Sequence, residues 1–146
     1  MSLEIFGARR EKMRRRDNFG VHIVSDLYGC SPEKLMKTEE IEKAIETAIQ
    51  ESHLTKITSH FHQFKPYGFT GFVLLSESHL AVHTWPEYGY VSLDVYSCGP
   101  PDGSFSAHKK IVDFFKPEKV STNVFMRGRL DEANSKPNTE AVSQWS

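Results

Sequence analysis

Two alternating runs separated by Trp85-Pro86-Glu87-Tyr88-Gly89 constrain this chain more than any other stretch. In the first run Leu80 and Val82 fall on one side of an extended strand, and His79, Ala81, His83 and Trp85 fall on the other. In the second, Val91, Leu93 and Val95 share a side, opposite Tyr90, Ser92, Asp94, Tyr96 and Cys98. A Pro/Gly turn between such runs reads as an antiparallel hairpin. Opposed residues in an antiparallel pair project to the same side, so a register that buries the aliphatic residues together puts His83 and Cys98 on the other face.

The rest of the chain supplies partners for that hairpin. Val21, Ile23, Ser25 and Leu27 alternate with His22, Val24, Asp26 and Tyr28, which predicts a strand ending at Gly29, with Ser31-Pro32 as a turn. Thr38 is placed to cap a helix whose first turn carries Glu39 and Glu40 and whose apolar stripe is Ile41, Ala44, Ile45, Ala48 and Ile49. Residues 55–64 predict a second strand, in which Ile57 and Phe61 alternate with Thr58, His60, His62 and Phe64, and residues 70–77 predict a third. Pro100-Pro101-Asp102-Gly103 predicts a loop, and Ser104 a cap for a short helix stopped by Pro117. Val120, Thr122, Val124 and Met126 predict a last strand. Mostly antiparallel strands with two inserted helices predict an α+β two-layer sandwich, helices on one face. The other face would carry His60, His62, Phe64, His83 and Cys98, a half-polar, aromatic surface suited to an active site or a subunit contact.

At 146 residues the chain is sized for one domain, expected over residues 19–130 between a basic N-terminal arm (1–18) and a polar tail (131–146). The arm carries Arg9, Arg10, Lys12, Arg14, Arg15 and Arg16, yet the net charge is −1, so nothing global points to nucleic acid. No apolar run approaches the ~20 residues needed to span a bilayer, and no signal-peptide segment opens the chain, so a cytoplasmic location is expected. Two cysteines, Cys30 and Cys98, are too few for a disulfide scaffold and are expected as free thiols, Cys30 in a structural role.

The run Glu77-Ser78-His79, then His83-Thr84-Trp85-Pro86-Glu87-Tyr88-Gly89-Tyr90, then Cys98-Gly99, resembles the small prokaryotic type of S-adenosylmethionine decarboxylase proenzyme. The likeness extends to Asp26-Leu27-Tyr28-Gly29-Cys30 and to Phe64-Lys65-Pro66-Tyr67-Gly68-Phe69-Thr70-Gly71, covering roughly residues 18–130. It implies self-cleavage between Glu77 and Ser78: the Ser78 hydroxyl attacks the preceding carbonyl, and elimination leaves a covalent pyruvoyl group that forms a Schiff base with the substrate amine. It further implies His83 as the proton-transfer group in processing, Thr70 as a supporting hydroxyl, and Cys98 as the general acid that protonates the product. Decarboxylated S-adenosylmethionine would then feed polyamine synthesis. Protomers of this family pair, with sites near the contact, so a homo-oligomer is implied.

Each residue also has a plainer reading. Serine before histidine at a strand start is usually a turn residue, and a lone cysteine is usually a small buried apolar one. Ser78 and His83 are five apart and would face opposite sides of an unbroken strand, so the chain must bend near Glu77-Ser78 or cleavage must free Ser78. Phe64 and Trp85 offer aromatic faces to adenine and a sulfonium, and Glu87 an acceptor for ribose hydroxyls, although all three also suit an interface or a turn. Tyr67 stands where the resembled family usually has glutamine. His60 and His62 share a face, as do His79 and His83, but no compact Cys/His cluster of zinc spacing exists, so no metal is expected. Two rivals stay open: a pyruvoyl decarboxylase of arginine or ornithine, and a non-catalytic regulatory paralogue.

Overall fold

In the computed structural model, which describes residues 18–133, the central hairpin is the middle of a six-stranded sheet. The strands are β1 (Asn18–Tyr28), β2 (Lys56–Gln63), β3 (Phe69–Leu75), β4 (Ser78–Trp85), β5 (Tyr90–Ser97) and β6 (Lys119–Arg129). Their order is β2-β3-β4-β5-β1-β6, and every neighbouring pair is antiparallel. The helices are α1 (Pro32–Leu35), α2 (Thr38–Glu51), α3 (Pro101–Phe115) and α4 (Leu130–Ala133). The basic arm expected over residues 1–18 and the tail expected over 131–146 lie almost wholly outside the described residues.

One sheet face is the core. Ile23, Leu27, Val73, Leu80, Val82, Val91, Leu93 and Val95 are buried there against Ile41, Ile45 and Ile49 of α2 and Phe105, Ile111 and Phe115 of α3. Each fully buried aliphatic side chain of this size contributes about 1.5–3 kcal/mol relative to exposure, so the alternation read in β4 and β5 is also a source of stability. The polar exception in this layer is His108 of α3, whose Nε2 lies 2.6 Å from Ser25 Oγ; Ser25 in turn lies 2.8 Å from Thr122 Oγ1. Burial lowers the His108 pKa to about 4, which keeps the ring neutral where it ties α3 to β1 and β6.

Several boundaries differ from the sequence expectations. Pro100 to Gly103 do not form a loop: Pro101, Asp102 and Gly103 are the first residues of α3, with Pro101 at a position where a missing N–H costs nothing. Ser104 is therefore inside the helix and not its cap. Thr38 is the first residue of α2 and Lys37 the cap, with no side-chain hydrogen bond. Ser31-Pro32, read as a turn, opens the short α1, where Ser31 Oγ accepts from the Lys34 N–H. The register shifts between Lys56 and Thr58, and Ile57 is left 60% exposed instead of facing the core.

The turn joining β4 to β5 is a single 3-10 turn, Pro86–Tyr88, closed by Gly89 at φ 59°. A side chain there would be strained and its Cβ would stand 2.7 Å from the Cys30 carbonyl oxygen. Cys30 N–H donates to the Gly89 carbonyl (2.9 Å), and burial pushes its thiol up to about 11. Cys30 is thus a packed, inert residue under the hairpin turn.

Candidate active site

The sheet face away from the helices carries the chemistry. Register sets its rows: Ser92 opposes His83, which opposes Thr70, while His22 opposes Tyr96, which opposes His79. The sequence-nominated residues separate along these rows into two clusters at opposite ends of the hairpin.

At one end lies the predicted cleavage site. Ser78 opens β4 with φ 154°, a backbone conformation rare outside glycine, so the bend anticipated at Glu77-Ser78 is present. Its Oγ is 3.0 Å from His79 Nδ1. The Glu77 carbonyl accepts from the Cys98 backbone N–H at 2.8 Å, and the Glu77 carboxylate accepts from the Thr55 N–H at 3.2 Å. Cys98 is an exposed free thiol lining a cleft of about 670 Å³ with Asn18, Phe19, Gly20 and Gly99.

At the other end, Thr70 Oγ1 and His83 Nδ1 lie 3.0 Å apart across β3 and β4. Trp85 follows, its ring 6.2 Å from His83 and stacked on Tyr90 at 5.2 Å. Tyr90 donates its hydroxyl to Asp26, and burial followed by that carboxylate holds the phenol protonated, so Trp85 rests on a fixed platform. Phe64 arrives through the loop between β2 and β3: its N–H donates to the Gly68 carbonyl at 2.9 Å, and the Phe64 ring meets His62 edge-on at 4.7 Å. Glu87 is exposed in the 3-10 turn beside them.

Ser78 and His83 do not meet within one chain. Five residues at ~3.4 Å each put them roughly 17 Å apart along β4, although the positive φ at Ser78 breaks the alternation that would otherwise turn them to opposite faces. Cys98 lies just past the end of β5, six residues beyond Ser92, which opposes His83, and so roughly 20 Å from His83 at the same rise.

Sequence reasoning assigned no role to the aromatic cage at the Ser78 end. Phe72, Tyr96 and His22 surround His79, and burial lowers the His22 pKa while its Nε2 has no hydrogen-bond partner. The signal was available, since alternation already put His22, His79 and Tyr96 on the polar face. Among the described residues no group of three or more His, Cys, Asp or Glu side chains could hold a metal ion, and no helix is long and apolar enough to cross a membrane.

These features define a two-layer α+β protein whose central hairpin carries a strained serine, a free thiol and a hydroxyl-linked histidine on its open end and face. Comparison with known proteins narrows the class. A sequence profile of the S-adenosylmethionine decarboxylase family matches residues 21–128. The chain is 41% identical over 123 residues to the S-adenosylmethionine decarboxylase proenzyme of Aquifex aeolicus, covering 84% of this chain and 91% of that one. With the proenzyme of Thermoplasma acidophilum it shares 45% over 124 residues, covering 84% and 95%. The crystal structure of the Aquifex aeolicus adenosylmethionine decarboxylase superposes with a TM-score of 0.76 at 40% identity, over 82% of this chain and 99% of that chain. The Trypanosoma brucei AdoMetDC-delta26 monomer shares the fold alone, at 17% identity and TM-score 0.55, over 71% of this chain and 45% of that one. The chain belongs to the S-adenosylmethionine decarboxylase family.

Proposed function

We propose that this protein is a self-cleaving S-adenosylmethionine decarboxylase that releases carbon dioxide from its substrate for polyamine synthesis, and that its site is completed by a second copy of the chain. The observation that carries the reading is the cradle of the Glu77–Ser78 peptide: a strained serine with its hydroxyl hydrogen-bonded, next to a carbonyl already receiving a backbone N–H. Strain at the bond to be broken and a donor where negative charge must develop are what an acyl shift onto a serine hydroxyl needs. The same cradle fits a pyruvoyl group, because the serine that would become it stands at a strand start beside the exposed Cys98 thiol. Such a group supplies an electron sink for the pair left behind when carbon dioxide departs.

The chain's own residues do the remaining work. Cys98 delivers a proton to the product carbon from its exposed thiol beside the cleavage site. Phe64 and Trp85 hold the adenosine and its sulfonium, Glu87 accepts from the ribose, and Thr70 with His83 forms the processing pair. Those residues lie at the far end of the hairpin from Ser78, and the open face between exposes Tyr28, Phe72, Leu74, Trp85 and Phe125. An apolar face of this extent calls for a cover. Two copies packed face to face about a two-fold axis, strands running oppositely, would bring His83, Trp85 and Phe64 of each to Ser78 and Cys98 of the other.

The test is direct. Purified protein should separate under denaturing conditions into fragments 1–77 and 78–146, the second blocked to Edman sequencing, while Ser78→Ala stays one chain. Full decarboxylase activity from an uncleaved chain with an ordinary Ser78 would remove the self-cleavage reading.

A further inference from the structure

The side chain that meets the Ser78 hydroxyl is His79, its immediate neighbour. Residues next to each other on a regular strand point to opposite faces, so a contact of 3.0 Å between Ser78 Oγ and His79 Nδ1 depends on the departure from strand geometry at Ser78. The imidazole is held on three sides. Phe72 stacks on it at 5.6 Å with 20° between the planes, Tyr96 meets it edge-on at 5.6 Å, and His22 meets it edge-on at 6.2 Å. Tyr96 is itself fixed: it lies over Gly20, where a Cβ would come within 2.8 Å of the phenol ring, and Arg127 stands 5.4 Å over its face. The cage lets the ring neither swing away nor turn over freely, and it leaves Nδ1 aimed at the hydroxyl. His83 has no such access, being engaged with Thr70 at the other end of the hairpin.

We propose that His79 is the base for the first step of self-cleavage, taking the Ser78 hydroxyl proton and returning it to the departing nitrogen. The proposal rests on the self-cleavage reading above and assigns one step within it. As the Ser78 Oγ bonds to the Glu77 carbonyl carbon, the Oγ proton moves to His79 Nδ1 and the carbonyl electron pair moves onto oxygen, where the Cys98 N–H already donates. That pair then reforms the double bond as the carbon–nitrogen bond breaks, and the nitrogen leaves with the proton held by His79. The product is an ester with a free amine, an isomer of the starting chain, so no co-reactant is required. The step needs His79 neutral with its proton on Nε2. His83 is left to the later elimination, in which a different proton, on the Ser78 α-carbon, is removed.

The experiment follows cleavage of freshly synthesised chains, not decarboxylation. His79→Asn and His79→Gln can accept the hydroxyl hydrogen bond but cannot carry a proton, and His79→Gly leaves a slot between Phe72 and Tyr96 that free imidazole can enter. Both amide variants should cleave at least about 100-fold more slowly than wild type, the lower end of what a positioned base contributes. They should also give no burst of fragments with hydroxylamine, which cuts an accumulated ester, and imidazole should restore cleavage to His79→Gly. Cleavage of an amide variant within a few-fold of wild type, a hydroxylamine-sensitive ester in those chains, or no rescue of His79→Gly by imidazole each overturns the assignment. A wild-type chain that never cleaves would instead overturn the self-cleavage reading.

Discussion

The backbone N–H of Cys98 donates to the carbonyl oxygen of Glu77 over 2.8 Å, so one residue touches the scissile peptide through its main chain while presenting its thiol to the cleft. The two functions are separable by substitution. Cys98→Ala keeps the N–H and removes the thiol: it should process at close to the wild-type rate but lose at least about 100-fold in turnover, the scale of a missing general acid. Cys98→Pro removes the N–H and should remain uncleaved, because losing one oxyanion donor costs about 100- to 1,000-fold. Fragment yield on denaturing gels and carbon dioxide release from the processed fraction measure the two effects separately. A processed Cys98→Ala enzyme with wild-type turnover and product would end the general-acid assignment.

The distance between the Ser78 and His83 ends of β4 makes a prediction about mixed molecules. Ser78→Ala alone and His83→Ala alone should each accumulate precursor. When the two are co-produced, the Ser78 of one chain can be served by the His83 of the other. With random pairing about half of the Ser78-bearing chains should then be cleaved, since half sit in mixed dimers. Cleavage no greater than in the His83→Ala homodimer would show that no composite site forms.

His108 makes acid sensitivity a property of the helix layer. Its folded pKa of about 4 is below the ordinary value of 6.5, so the unfolded chain binds the proton first. The sign follows: the contribution to stability is fully present above pH 6.5 and is lost as the pH falls from 6.5 towards 4. The difference amounts to something on the order of 3 kcal/mol. His108→Gln can still reach Ser25 but does not titrate, so thermal unfolding of this variant should depend less on pH across that window than wild type. Parallel Tm profiles for the two proteins would count against the buried neutral ring.

The central hairpin was legible because burial on one face imposes a period of two, and Leu80, Val82, Leu93 and Val95 obey it without exception. Punctuation residues were less informative. Pro100-Pro101-Asp102-Gly103 has the composition of a loop, yet proline is also favoured in a first helical turn, and packing of Phe105 and Ala107 draws the helix back to Pro101. The bulge between Lys56 and Thr58 left no trace in composition, so Ile57 read as a core residue. The pairing of Ser78 with His79 was hidden for a physical reason: alternation places neighbours on opposite faces, and only the φ of 154° brings the two side chains together.

Substrate choice turns on the far cluster. Trp85 is 39% exposed and Phe64 49%, both on the open face or its margin, where two aromatic surfaces without a cover suit a planar base and a sulfonium better than a linear basic side chain. Arginine or ornithine would call for carboxylates at the distal end of the pocket. Glu87 is the acid nearest Trp85 in the turn, while Asp26 is already engaged by the Tyr90 hydroxyl. Tyr67, 42% exposed in the loop that carries Phe64, adds a third ring. Processed enzyme offered carboxyl-labelled S-adenosylmethionine, arginine and ornithine separately should show kcat/KM strongly in favour of the first. Trp85→Ala should weaken that preference chiefly through KM, by roughly 10-fold or more if the ring contributes about 1–2 kcal/mol of stacking and cation–π binding. A clear preference for either amino acid would reject the nucleoside assignment while leaving self-cleavage at Ser78 standing.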